Sequence, residues 1–108
     1  MTIQESNDEE LRRIIYDKDK VIVKFFAEDC EVCRVLEQPF RKLSSNPAYK
    51  NITFLRMDAS ENPVSSKEVS LSGTPFFATY NKGTLVECGL LSEEKDIKEM
   101  LDRLLLQK

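Results

Sequence analysis

The stretch Val21-Ile22-Val23-Lys24-Phe25-Phe26-Ala27-Glu28-Asp29-Cys30-Glu31-Val32-Cys33 changes its period partway along. Residues 21–27 are β-branched and aromatic, too short a run for a helix, and apolar on both faces apart from Lys24. Such a run reads as the central strand of a sheet covered on both sides. Beyond Cys30, the apolar residues Val32, Val35, Leu36, Phe40 and Leu43 suit a helix running to about Ser44, with Pro39 inside it as a kink. A Cys-x-x-Cys therefore sits where a buried strand hands over to a helix.

The flanks repeat the alternation. Ser6-Asn7-Asp8-Glu9 has capping-box form, and Leu11, Ile14 and Ile15 share a helical face to about Asp17. Residues 52–57 form a second strand. Asn62-Pro63 has the form of a helix start, Asn capping and Pro at the first helical position, with the helix ending before Leu71. Thr74-Pro75 opens a strand over residues 76–80, Asn81-Lys82-Gly83 turns the chain, and residues 85–88 return antiparallel. Ser92 is placed to cap a last helix, with Glu93 and Glu94 in its first turn and Ile97, Leu101 and Leu104 on one face. Phe25, Phe26, Phe54, Phe76 and Phe77 read as core. Strands alternating with helices imply an α/β fold: a mixed sheet with helices on both faces and an antiparallel final hairpin.

Composition narrows the chemistry. The chain has 108 residues, enough for one domain with its own core. It has no His, which excludes Ser-His and Cys-His nucleophile pairs and His-ligated metal sites, and it has no Trp. With 16 Lys and Arg against 19 Asp and Glu, it lacks the basic footprint of a nucleic-acid module. The amino terminus is acidic, without the apolar segment of a secretory signal, and no apolar run is long enough to span a membrane. A cytoplasmic protein is expected, where paired cysteines are more often catalytic or metal-binding than structural.

Three Cys remain, Cys30, Cys33 and Cys88, an odd number. Residues three apart on a helix lie close enough for a disulfide after small adjustment. A thiol at a helix amino terminus meets unpaired N–H groups and the positive dipole end, which stabilise the attacking thiolate. Cys30 is thus the candidate nucleophile and Cys33 the resolving thiol. A structural zinc site needs four ligands, one more than these cysteines supply without dimerisation or a carboxylate. Two inert core cysteines are the other bland reading.

In this setting the chain resembles the thioredoxin family over nearly its whole length. The stretch from Val21 to Cys33 is similar to the family's strand and active-site turn. Asp58-Ala59-Ser60-Glu61-Asn62-Pro63 is similar to its strand end and following helix start, Gly73-Thr74-Pro75 to its cis-proline loop, and Gly89 to its glycine before the last helix. The resemblance implies a thioredoxin fold, with a central mixed sheet of about four or five strands flanked by about four helices. It implies a thiol-disulfide oxidoreductase in which Cys30 attacks and Cys33 resolves, while Val32, Thr74, Pro75 and Gly89 present an extended substrate strand. It also implies a cis Thr74–Pro75 bond. The redox-active Cys30–Cys33 disulfide is the only cofactor expected, with no metal. The expected partners are protein disulfide substrates and a thioredoxin-reductase-like electron donor, and a monomer is expected.

The departures from the family concern the same site. Asp29 stands where the family has Trp, and Glu31 and Val32 where it has Gly-Pro. Glu28, Asp29 and Glu31 crowd Cys30 with like charge that disfavours its thiolate, while Arg34 acts the other way. Disfavouring the thiolate stabilises the disulfide and suggests a reductant rather than a strong oxidant. Lys24 stands where the family keeps a buried Asp. It is either a neutral base or a cation that lowers the Cys33 pKa, or its stem is buried and its amine reaches a carboxylate. Pro39 falls one residue later than the family's helix proline, which a local bulge could absorb. Cys88 reads as a small hydrophobe near the substrate edge, or as a third thiol open to modification. These departures keep a second function open, a thioredoxin-fold adaptor with weak turnover, and a third, a metal or iron–sulfur carrier formed on dimerisation.

Overall fold

In the computed structural model, which describes residues 3–108, the β-branched run becomes β2 (Lys20–Phe26), third of five strands in one sheet. The others are β1 (Gln4–Glu5), β3 (Ile52–Asp58), β4 (Phe76–Asn81) and β5 (Thr84–Leu90), in the spatial order β1-β3-β2-β4-β5. β2 runs parallel to β3 and antiparallel to β4, and β5 closes the sheet as an antiparallel hairpin. Five helices cover it: α1 (Asp8–Asp17), α2 (Glu31–Val35), α3 (Glu37–Ser44), α4 (Pro63–Glu68) and α5 (Glu94–Leu105). The expected mixed sheet with helices on both faces is what the chain adopts. Among the described residues, no helix is long and apolar enough to cross a membrane.

Alternation along the strands sorts the core into two layers. Val21, Val23 and Phe25 of β2 pack with Leu55, Met57, Phe76 and Ala78, and with Leu11 of α1, on one face. Ile22 points the other way, with Phe54 and Phe77, toward Phe40 and Leu43 of α3 and Ile97, Leu101 and Leu104 of α5. Each fully buried side chain of this size contributes about 1.5–3 kcal/mol. Lys24 lies on the Ile22 face of this sheet and is 1% exposed.

Several boundaries differ from the sequence expectation, each for a local reason. Two residues, Gln4 and Glu5, add β1 to the edge beside β3, and the Ser6 amide continues that pairing to the Arg56 carbonyl at 3.0 Å. Ser6 is therefore strand-bound, and Asn7 is the cap of α1, accepting from the Glu10 amide at 2.9 Å. Ser92 caps nothing: Glu93 precedes α5 and offers no side-chain cap, while Glu94 and Asp96 in its first turn complement the positive end of the helix dipole. The helix after Cys30 breaks at Leu36. Pro39 cannot donate to the Val35 carbonyl four residues back, so regular bonding resumes with the Phe40 amide on the Leu36 carbonyl at 3.0 Å. Phe26 is only half-buried, its ring lying 4.1 Å from the Arg56 guanidinium carbon. Val35 is 61% exposed and Val32 38%, so neither belongs to the core stripe that their spacing suggests. At the hairpin, Lys82 and Gly83 both take positive φ (52° and 84°), the requirement of a tight two-residue connection between twisted strands.

Candidate functional site

Cys30 and Cys33 are joined as a disulfide, with Cα atoms 5.2 Å apart. Cys30 is the cap residue of α2, in extended conformation, and its sulfur accepts the Cys33 amide at 3.0 Å. β2 thus delivers Cys30 to the start of a helical turn whose geometry brings back the residue three positions on. Cys30 is 9% exposed and Cys33 4%, so the first cysteine is the more accessible.

The register places the other predicted residues at the same end of the sheet. Phe25 pairs with Phe76, so the turn leading to Cys30 and the loop ending at Pro75 leave the sheet side by side. The Thr74–Pro75 peptide bond is cis, with Thr74 half-buried and Pro75 buried. Gly89 pairs with Phe77 one position further along. A Cβ on Gly89 meets nothing within 4 Å, so no packing requires glycine there and the position is open surface.

The three carboxylates before and after Cys30 (Glu28, Asp29 and Glu31) are exposed to solvent. Arg34 Nη2 pairs with Glu31 Oε1 at 3.0 Å and its Nη1 donates to the Glu28 carbonyl at 3.2 Å. Arg34 therefore closes on its own turn, and both members of the pair are exposed, which makes the interaction weak.

Next to Cys33 lies a buried charged group. Lys24 Nζ donates to the Cys33 carbonyl at 2.8 Å and to Glu37 Oε1 at 3.0 Å. Of the two readings for Lys24, the stem is buried and the amine does reach a carboxylate, but inside the protein. Desolvation pushes the Lys24 amine below its ordinary value, opposed by the hydrogen bond and charge of Glu37. Burial alone would raise the Glu37 carboxyl; the Lys24 hydrogen bond and charge, with Arg56 and Arg41, hold it below the usual range. Glu37 Oε2 lies 3.6 Å from Arg56 Nε and 3.8 Å from Arg41 Nη2, and Arg56 in turn pairs with Glu5.

Glu37 and Arg56 were not among the residues singled out from the sequence. One signal for Glu37 was available in the sequence, and Arg56 emerges only from the fold. Glu37 stands four positions after Cys33, the spacing that aligns side chains along a helix. Arg56 is directly opposite Lys24 in the β2–β3 register. Cys88 stands apart on β5, exposed and paired with Ala78, its thiol donating to the Val69 carbonyl at 3.5 Å.

Residues 2–103 match the family model described as Thioredoxin. The mitochondrial thioredoxin-3 of Saccharomyces cerevisiae is 30% identical over 81 residues, covering 75% of this chain and 62% of that protein. Thioredoxin 1 of Plasmodium falciparum is 26% identical over 94 residues, 87% of this chain and 88% of its own length. The crystal structure of oxidised mitochondrial thioredoxin 3 from Saccharomyces cerevisiae superposes with a TM-score of 0.86 at 25% identity, covering 94% of this chain and 95% of that one.

Proposed function

We propose, for a chain that belongs to the thioredoxin family and is accordingly a thiol-disulfide oxidoreductase, that it works as a reductant of protein disulfides through Cys30 and Cys33. The observation that carries this reading is the Cys30–Cys33 disulfide at the strand–helix junction, with the more exposed cysteine on the helix cap. In the reduced form, Cys30 attacks one sulfur of a substrate disulfide; a Cys30–substrate bond forms and the other substrate sulfur leaves as a thiol after taking a proton. Cys33 loses its proton and attacks Cys30. The Cys30–Cys33 bond forms, the mixed disulfide breaks, and the second substrate sulfur departs as a thiol. Two electrons and two protons have then passed from the dithiol to the substrate.

The remaining roles are part of the same reading. Val32, Thr74, Pro75 and Gly89 are assigned to the extended substrate segment, a reading supported by the Pro75 loop leaving the sheet beside the turn to Cys30 and by open space at Gly89. Asp29 and Glu31 supply negative charge beside Cys30, Arg34 offsets part of it, and Lys24 modulates Cys33. The redox-active disulfide is the only cofactor this chemistry requires. A reductase of the thioredoxin-reductase type returns the electrons, and a monomer in the cytoplasm, where thiols are kept reduced, is the setting that suits it.

Turbidimetric reduction of insulin by dithiothreitol tests the reading. Wild-type protein should accelerate precipitation and Cys30→Ser should not. A wild-type rate no faster than the Cys30→Ser control overturns it.

A further inference from the structure

Deepening that reading, and resting on it only for the identity of the resolving thiol, we propose that Glu37 is a positioning residue of the exchange site, keeping Lys24 charged so that a fixed buried cation favours the thiolate of Cys33. The geometry supplies each link. Lys24 is 1% exposed, so little water can stabilise its ammonium, and a buried cation must find a protein partner or give up its proton. Glu37 is the carboxylate in hydrogen-bond contact with it, at 3.0 Å, and reaches in from α3 while remaining one third exposed itself. The same ammonium donates to the main-chain carbonyl of Cys33 at 2.8 Å, so its charge sits beside the residue that must ionise to resolve the mixed disulfide.

The groups around Lys24 define the balance. From β3, Arg56 stands opposite it and acts against its charge. From β4, the facing residue is the uncharged Phe77, and from α3 the Phe40 ring centre lies 6.0 Å away. From α2 comes the Cys33 carbonyl. Arg41 and Arg56 share the second oxygen of Glu37, and Glu5 on β1 faces Arg56. Glu37 is the acidic member in direct contact with Lys24, so its removal leaves the amine facing Arg56 in a desolvated site. The amine then sheds its proton, and Cys33 loses the cation.

The sign of one measurement separates this from a direct effect of Glu37. If the carboxylate acted on Cys33 only through its own negative charge, Glu37→Gln would ease thiol ionisation. Acting through Lys24, the same change hinders it. In reduced protein carrying Cys30→Ser, the iodoacetamide alkylation rate of Cys33 is followed against pH, resolved from Cys88 by peptide mass spectrometry. Adding Glu37→Gln should slow alkylation at pH 7 at least about threefold and move the profile to higher pH; Lys24→Met should do the same. An unchanged or faster rate in Glu37→Gln overturns the proposal. A second readout needs neither a cysteine variant nor turnover: lysine Nζ nitrogen NMR of the wild-type chain should show the Lys24 ammonium persisting through neutral pH and lost in Glu37→Gln. A Lys24 signal titrating identically in both chains overturns it as well. Neither readout depends on insulin reduction, so failure of either leaves disulfide exchange by Cys30 standing, and failure of that exchange is read separately.

Discussion

Asp8 and Asn62 cap each other's helices. Asn62 Oδ1 accepts the Asp8 amide in the first turn of α1 at 2.9 Å, and the Asp8 carboxylate accepts the Val64 and Ser65 amides at the start of α4, at 3.1 and 2.8 Å. Asn62 itself is fixed by its Nδ2, which donates to the Asp58 carbonyl at 2.9 Å. The exchange ties two short helices together on the sheet face opposite α3 and α5, across a sequence separation of 54 residues.

Asp8→Ala should therefore loosen two elements at once, at a cost of about 0.5–2 kcal/mol. Burial works to raise the Asp8 carboxyl, but the Ser65 hydroxyl and the Ser65 and Val64 amides outweigh it and hold the group below 3.8. The folded state thus binds this proton more weakly than the unfolded chain. The stabilisation is fully present above 3.8 and is lost as pH falls through the folded value. Urea midpoints should show the wild-type advantage over Asp8→Ala at pH 7 and a narrowing gap in acid; a gap independent of pH contradicts the assignment.

The same pair shows where sequence reading stops. Asn62-Pro63 marks a helix start correctly, because Pro at the first helical position is a local constraint. Which side chain caps that helix is settled by a residue 57 positions away, and no local pattern contains it. Ser6 failed in the same manner: its capping-box spacing is sound, but pairing with Arg56 draws it into the edge of the sheet. β2, β3, β4 and the two cysteines were legible because periodicity and the strand–helix junction are local. The Lys24–Glu37–Arg56 cluster was half legible. Lys24 announced itself as a charge in an apolar run, whereas its partners came from a helix interrupted by Pro39 and from a strand register.

Cysteine variants should separate the two sulfurs. With Cys33→Ser, attack by Cys30 proceeds but resolution cannot, so a mixed disulfide with substrate accumulates. With Cys30→Ser, little adduct should form, because Cys33 is 4% exposed. Non-reducing gels after incubation with an oxidised protein substrate give the comparison. Equal trapping by both variants contradicts the assigned order of attack.

Breaking the Lys24–Glu37 pair from its two sides should have unequal costs. Lys24→Met keeps the volume, removes a buried cation and leaves Glu37 able to reach Arg41, Arg56 and water, so the change should be within about 1 kcal/mol of neutral. Glu37→Ala leaves the buried ammonium without its acid, and should cost about 1–3 kcal/mol, discounted because Glu37 is one third exposed. Denaturant melts of the oxidised proteins decide it, and a larger loss in Lys24→Met reverses the reasoning.

Tyr49 should govern part of the alkaline stability. It is 1% exposed, and its hydroxyl donates to Asp102 Oδ1 at 2.7 Å, anchoring the turn after α3 to α5. Burial first, and then the hydrogen bond and charge of Asp102, push its phenol up to about 12 from 10.0. The folded state therefore holds the proton that the unfolded chain releases. This contribution is complete below 10.0 and is lost as pH rises through about 12. Tyr49→Phe should cost about 0.5–1.5 kcal/mol at neutral pH, since Asp102 is half-exposed and rehydrates. The same variant should lose less stability between pH 9 and 11 than wild type. Urea midpoints across that interval give the slope; parallel slopes in the two proteins would show that the Tyr49–Asp102 contact carries no linked proton.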